Sequence, residues 1–209
     1  MEIGILGPLT VQEEEVSGML TASKPRKVLA LLLLYANQVV PTTALMEELW
    51  DDEPPLSALT TLQTYILQLR KLLSRILRME ASEIAREVLV TKTCGYMFRV
   101  QPGKLDLHEF ERRAEEGHKA LAVGENDRAA RLLREALEFW RGQALVDVKA
   151  GRLLEMHIRR LEQSRLSALE QRIEADLRLG WHHELLSELT ALVVRYPGPR
   201  QSPCGSCLT

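Results

Sequence analysis

Apolar residues recur along this chain with two different periods, and the change of period divides it. The segment 2–6 is largely apolar and β-compatible, stops at Gly7-Pro8 and resumes as Leu9-Thr10-Val11 before an acidic run. That pattern predicts short strands joined by turns. Ser23 and Lys24-Pro25 then open a helix, with proline in its first turn and Val28, Leu29, Leu32, Leu33 and Ala36 at helical spacing until Asn37. Pro41-Thr42 punctuates the chain. Leu45, Met46, Leu49 and Trp50 carry the apolar face of a short second helix, which ends in Asp51-Asp52-Glu53-Pro54-Pro55. Beyond the prolines, Leu59, Leu62, Ile66, Leu69 and Leu73 step by three and four, a third helix of about four turns. A polar stretch over 81–87 allows one more helical turn. Val88-Leu89-Val90-Thr91, Lys92-Thr93-Cys94-Gly95 and Tyr96-Met97-Phe98-Arg99-Val100 then predict strand, turn and strand, a hairpin.

Past Pro102-Gly103 the β-branched residues thin out and long amphipathic helices take over, so the domain boundary is placed there, giving domains 1–103 and 104–197 and an irregular tail, 198–209. Helices are expected over 106–123, 127–140, 151–179 and 182–195. Aligning Gly124 with Gly180 superposes Ala129 on Leu185, Leu133 on Leu189, Leu137 on Val193 and Trp140 on Tyr196, so a helix, glycine turn and helix recur. Such hairpins, ending in Tyr196-Pro197, are the grammar of tetratricopeptide stacks. The fold class is mainly α with a small β part: a winged helix-turn-helix followed by an all-α, tetratricopeptide-like domain.

Composition narrows the function classes. The longest unbroken apolar run, 28–36, is far shorter than the roughly 20 residues needed to span a bilayer. The start of the sequence lacks the pattern of a signal peptide, and three cysteines make a poor disulfide framework, which together imply a cytoplasmic protein with no membrane partner. An enzyme should display a nucleophile with its base, a metal cluster or a phosphate loop. Gly4-Ile-Leu-Gly7 lacks the spacing of a dinucleotide fingerprint, and there is no Walker sequence. His108, His118, His157, His182 and His183 fall within expected helices, and the CxxC of Cys204 and Cys207 lies in the tail without a second pair. No catalytic residue, metal or cofactor is assigned, and the expectation is that the protein is not an enzyme.

Charge brings in a different partner. The sequence carries 27 basic and 29 acidic residues, a net charge of −2, but the bases of the first half cluster as Lys24, Arg26 and Lys27, as Arg70, Lys71, Arg75 and Arg78, and as Lys92 and Arg99. A fold that gathered those clusters on one face would make a local positive patch without a basic total. The third helix presents Thr60, Thr61, Gln63, Thr64, Gln68, Arg70 and Lys71 opposite its apolar stripe, in place of the Glu/Lys mixture of a merely solvated helix. In a major groove, glutamine pairs with adenine edges, threonine donates, accepts or meets a thymine methyl, and lysine reaches guanine or phosphate. Thr60, Thr61, Gln63, Thr64, Gln68 and Lys71 are therefore the candidate base readers. Lys92, Thr93 and Arg99 on the hairpin wing, and Lys24, Arg26 and Lys27 at the start of the first helix, are the candidate backbone contacts. The rival reading is a protein-interaction adaptor whose helical half is primary and whose winged helix binds no DNA.

These residues also carry a resemblance. The ordered set Gly4-Ile-Leu-Gly-Pro-Leu9, Lys24 through Leu34, Leu45 to Trp50, Pro54-Pro55, Ala58 to Leu73 and Gly95-Tyr96 resembles the Streptomyces antibiotic regulatory proteins. The second half resembles their bacterial transcriptional activator domain, through Leu105-Asp-Leu-His-Glu-Phe110, Gly117, Ala136-Leu137, Trp140-Arg-Gly142 and Glu174-Ala-Asp-Leu-Arg-Leu-Gly180. The resemblance implies an OmpR-type DNA-binding domain, a third helix that reads direct repeats with two protomers side by side, and activation of antibiotic or other secondary-metabolite genes. It further implies that the loop between the second and third helices, here Asp51, Asp52, Glu53, Pro54, Pro55 and Leu56, faces RNA polymerase. Three acids suit that loop to a basic patch on polymerase or its sigma factor and not to phosphates. The tail leaves the family pattern, and a repeat stack ending there predicts self-association or a partner at its exposed end.

Overall fold

The computed structural model describes residues 1–13, 16–17, 22–182 and 185. The alternation near the start forms a small sheet in which β1 (Glu2–Gly4) pairs antiparallel with β2 (Thr10–Glu13), and β2 with β3 (Val16–Ser17). α1 (Ser23–Leu34) buries Val28, Leu29, Ala30, Leu31, Leu32 and Leu33 in succession. A helix apolar all round must be covered all round. α1 is: α2 (Thr42–Trp50), α3 (Ala58–Leu77) and a later helix pack on it from different sides.

A second sheet was only half legible in the sequence. Its hairpin of β5 (Leu89–Lys92) and β6 (Gly95–Phe98) forms as expected, but β4 (Val39–Pro41) joins it in the order β4-β6-β5. Three residues ending in proline are too short for a period to show. Their strand exists because Val40 pairs with Tyr96 and Pro41 with Gly95, where a Cβ on Gly95 would collide with the Val40 carbonyl. Between α3 and β5 lie α4 (Ala81–Glu83) and one π-helical turn, Ile84–Val88.

The second half is helical throughout its described elements: α5 (Asp106–Ala122), α6 (Asn126–Glu138) and α7 (Arg152–Arg178). Gly117 lets α5 and α6 cross closely, since a Cβ there would lie 2.7 Å from Leu133 Cγ. Gly124 and Gly180 follow α5 and α7 with φ of 82° and 84°, the left-handed geometry of a helix stop, so the two glycines aligned in the sequence do the same work. Most of the expected fourth helix, and the whole tail 198–209 with Cys204 and Cys207, lie outside the described residues. None of the described helices is long and apolar enough to cross a membrane.

The two halves share one continuous core, running from Ile3 through Leu69 and Phe110 to Leu161. The Gly4-Ile-Leu-Gly segment is the joint. Asp106, at the first turn of α5, accepts from the Ile5 and Leu6 amides at 2.9 and 3.0 Å, while Leu6 and Ile5 carbonyls accept from the amides of Arg141 and Leu145. Arg141 lies against Gly4 and Gly7 and donates to Asp106 at 3.0 Å. Motif residues far apart in the chain are thus one interdomain clamp.

Candidate nucleic-acid interface

The side of α3 turned away from the core is a polar, acid-free surface. Ala58, Leu62, Ile66, Leu69, Leu73 and Ile76 are buried, and Thr60, Gln63, Thr64, Gln68 and Lys71 are exposed on the far side; Thr61, expected among them, is half-buried at its edge. None of the twenty residues of α3 is acidic, and exposed Arg75 and Arg78 extend the cationic end of the helix. Leu59 corrects the sequence reading. Its spacing puts it on the apolar stripe, but Ala58 occupies that position and Leu59, one residue and about 100° further round, is 51% exposed. Leu67, which no sequence pattern singled out, is 50% exposed in the middle of the polar face. Thr64 donates its hydroxyl to the Thr60 carbonyl at 3.0 Å, which leaves that side chain an acceptor and a methyl for any outside partner.

Arg70 departs from the expected face. Its guanidinium donates to the Leu89 carbonyl at 2.9 and 3.1 Å and to Thr91 Oγ1 at 2.8 Å, tying α3 to β5. Partial burial pulls its pKa below the ordinary guanidinium value without discharging it. This tether sets the wing beside α3. Lys92, Thr93 and Cys94 stand exposed at the wing turn, and the Cys94 carbonyl accepts from the amide of Thr42 at 2.9 Å, so the wing turn abuts the start of α2. Arg99 is exposed further back and is held by the Arg86 carbonyl and Glu87 at 3.3 and 3.4 Å.

The basic clusters do not gather on one face. Lys24, Arg26 and Lys27, grouped with the wing on sequence grounds, sit at the other end of α2: Lys24 Nζ lies 5.0 Å over the Trp50 ring, and Lys27 donates to the Glu48 carbonyl. Arg26 is turned to the second domain, where it pairs with Asp147 at 3.2 Å and donates to the Asp147 carbonyl at 3.0 Å. Half-buried Arg26 and Lys27 are committed to internal contacts; Lys24 is exposed. Adjacency of cations in sequence did not reveal which way the start of α1 points, because that depends on where α2 and the second domain pack.

The loop Asp51, Asp52, Glu53, Pro54, Pro55 and Leu56 is exposed throughout, with Leu56 fully so. Its base is anchored by the second domain. Glu48 is only 1% exposed and accepts from the Gly151 and Leu154 amides at 2.5 and 3.0 Å, capping α7 from another domain. Arg152 pairs with Glu47, and that bond, reinforced by Asp52 and Asp51, raises its pKa. Neither the cap nor the pair has a sequence signal, since Glu48 reads as one acid among five. Elsewhere along this contact, Tyr35 and His157 share a hydrogen bond of 2.8 Å. No group of potential metal ligands occurs among the described residues.

Comparison with known proteins bears on the same residues. Residues 18–98 match the family described as transcriptional regulatory protein, C terminal, and residues 105–201 match the bacterial transcriptional activator domain. The chain is similar to the regulatory protein DnrI of Streptomyces peucetius, 51% identical over 94% of this chain and 72% of DnrI. It is also similar to the transcriptional regulator RedD of Streptomyces coelicolor, 34% identical over 94% of this chain and 55% of RedD. Among solved structures, that of Mycobacterium tuberculosis EmbR in complex with a low affinity phosphopeptide superposes with a TM-score of 0.84 at 31% identity, over 94% of this chain and half of that one.

Proposed function

The chain belongs to the Streptomyces antibiotic regulatory protein family of transcriptional activators, and from that premise we propose that it binds direct repeats in double-stranded DNA upstream of biosynthetic promoters and recruits RNA polymerase there. The observation that carries the reading is the acid-free outward face of α3 beside an exposed wing turn. A helix about 10–12 Å across with its side chains, faced with amides, hydroxyls and a cation, suits the width of about 12 Å and the chemistry of a major groove. Thr60, Gln63, Thr64, Gln68 and Lys71 face base edges, Thr61 supports them from the margin, and Lys92 and Thr93 grip the neighbouring backbone. Two protomers bind side by side on a direct repeat. The loop of Asp51, Asp52, Glu53, Pro54, Pro55 and Leu56 stands clear of phosphates and meets a basic surface on polymerase or its sigma factor, with Leu56 as its apolar anchor.

Footprinting the chain on DNA upstream of its neighbouring genes, with and without polymerase, tests both halves. Gln63→Ala and Thr64→Ala should weaken the cognate site by about 1–3 kcal/mol each while leaving random DNA alone. Lys92→Ala should weaken all DNA and flatten the salt dependence by about one counterion. Equal losses on cognate and random DNA for the helix variants would defeat the base-reading role. Absence of any salt-sensitive shift, with recovery of a polypeptide partner, would favour the adaptor reading. Alanine at Asp51, Asp52 and Glu53 should preserve DNA affinity and lower transcription in a reconstituted system.

A further inference from the structure

We propose that Leu67, seconded by Leu59, is a specificity-determining residue that packs against thymine 5-methyl groups, so that part of the site is read by apolar contact and not by hydrogen bonding. The inference rests on the DNA-reading function proposed above. Successive exposed positions 60, 64, 67 and 71 lie along the line of α3 opposite its buried stripe. Leu67 is in the middle of that line, with Gln63 and Thr64 one turn before it and Lys71 one turn after. Its neighbours Ile66 and Leu69 are 2% and 0% exposed, whereas Leu67 leaves half its surface in water. A single exposed leucine on an ordinary surface means nothing. Leu67 differs because every residue around it on this face is suited to a base edge and none is acidic.

Major-groove chemistry then decides what such a residue fits. Thymine presents a methyl group there; adenine, guanine and cytosine present amino groups, ring nitrogen or carbonyl oxygen. Leucine set against those polar edges strips them of water and returns no hydrogen bond, which is unfavourable. Set against a methyl, it replaces two hydrated apolar surfaces by one contact. It therefore attracts thymine and rejects the others by the same geometry. Thr64 reinforces the bias, since its hydroxyl proton is spent on Thr60 and its methyl remains. Leu59 stands one turn before Gln63, in the first turn of α3, where it would meet the edge of the same site.

The test starts from selection of a binding site out of a random duplex library with the whole chain, followed by replacement of each thymine in that site by deoxyuridine, which removes only the methyl. At one or more positions deoxyuridine should weaken binding about four-fold, the factor that burial of one methyl-sized group supplies. Leu67→Ala should lose a similar factor on the thymine duplex and show no further loss on the deoxyuridine duplex, with an unchanged melting temperature. A selected site without thymine, indifference of the natural chain to every deoxyuridine, or a penalty that persists undiminished in both Leu67→Ala and Leu59→Ala overturns the proposal. Selection that enriches no site at all removes the DNA-reading function itself, and the methyl contact with it.

Discussion

The outward face of α3 and the contact of the first half with α7 and the loop before it are both polar, yet one is acid-free and turned to water while the other pairs cations with acids. On α3, Gln63, Gln68 and Lys71 stand in water, and among the described residues Lys71 enters no ion pair. In that contact Arg26 is answered by Asp147, Arg152 by Glu47, and Glu48 by the Gly151 and Leu154 amides. An unanswered polar surface keeps its hydrogen-bonding capacity for a partner, whereas an answered one holds the fold together. The difference sets residues whose polar groups remain open to an outside molecule apart from residues that fix how the two halves of this one are set.

That contrast can be broken in graded ways. The largest effect is expected within α3 itself: Leu69→Ala, at a fully buried site, should cost about 3–4 kcal/mol of stability, while Gln68→Ala beside it changes stability by less than about 0.5 kcal/mol; urea unfolding of the two variants reads the difference. Glu48→Ala removes the carboxylate that caps α7 across the contact between the halves, and should cost about 2–3 kcal/mol in the same measurement. If Glu48 merely decorated the surface, its loss would be within error of zero. A second pair concerns DNA. Lys71→Ala should flatten the salt dependence of binding by about one counterion, whereas Arg26→Ala should leave that slope unchanged and lower stability by about 1 kcal/mol; a slope changed equally by both would return Arg26 to the interface.

The smallest effect is a pH dependence. Burial, helped by Arg160, holds the His157 pKa below its ordinary value of 6.5, and the ring hydrogen-bonds Tyr35 across the same contact. The unfolded chain then binds a proton that the folded chain refuses, so this group lowers stability as pH falls below about 6.5, by an amount that grows until the folded-state pKa is reached. The urea midpoint of the natural chain should fall more steeply between about pH 7 and pH 5.5 than that of His157→Gln. Parallel slopes would show that His157 titrates alike in both states.

How far the site was legible depended on the range of the forces involved. The apolar positions 62, 66, 69 and 73 show their burial in spacing alone, and once they point inward, Gln63, Thr64, Gln68 and Lys71 must point outward. The same reasoning erred by one residue at the helix start, where Ala58 takes the inward place and Leu59 the outward one. In the first turn the stripe has no preceding residues to set its phase. Arg70 was misplaced for a different reason. A long flexible side chain at the margin of a face goes where an acceptor waits, and its acceptors, Leu89 and Thr91, belong to a strand nineteen and twenty-one residues away. Asn37 marks a helix stop in the sequence and is one, with φ of 65°; its two hydrogen bonds of 3.0 Å with the Val100 backbone, which brace the turn into β4, have no signal in its neighbours.

Local periodicity and turn chemistry were enough to determine that this chain makes a winged helix-turn-helix with an acid-free third helix, followed by long helices, two of which stop at Gly124 and Gly180. Those features follow from contacts a few residues apart, and a sequence displays such contacts directly. Tertiary structure alone decided that Gly4, Gly7, Asp106 and Arg141 form one clamp, that Glu48 caps a helix beginning over a hundred residues later, and that Arg26 and Lys27, but not Lys24, are taken up by internal contacts. Each of those outcomes is a choice among partners distant in the chain, settled by which buried polar groups must find a hydrogen bond once the apolar faces have come together.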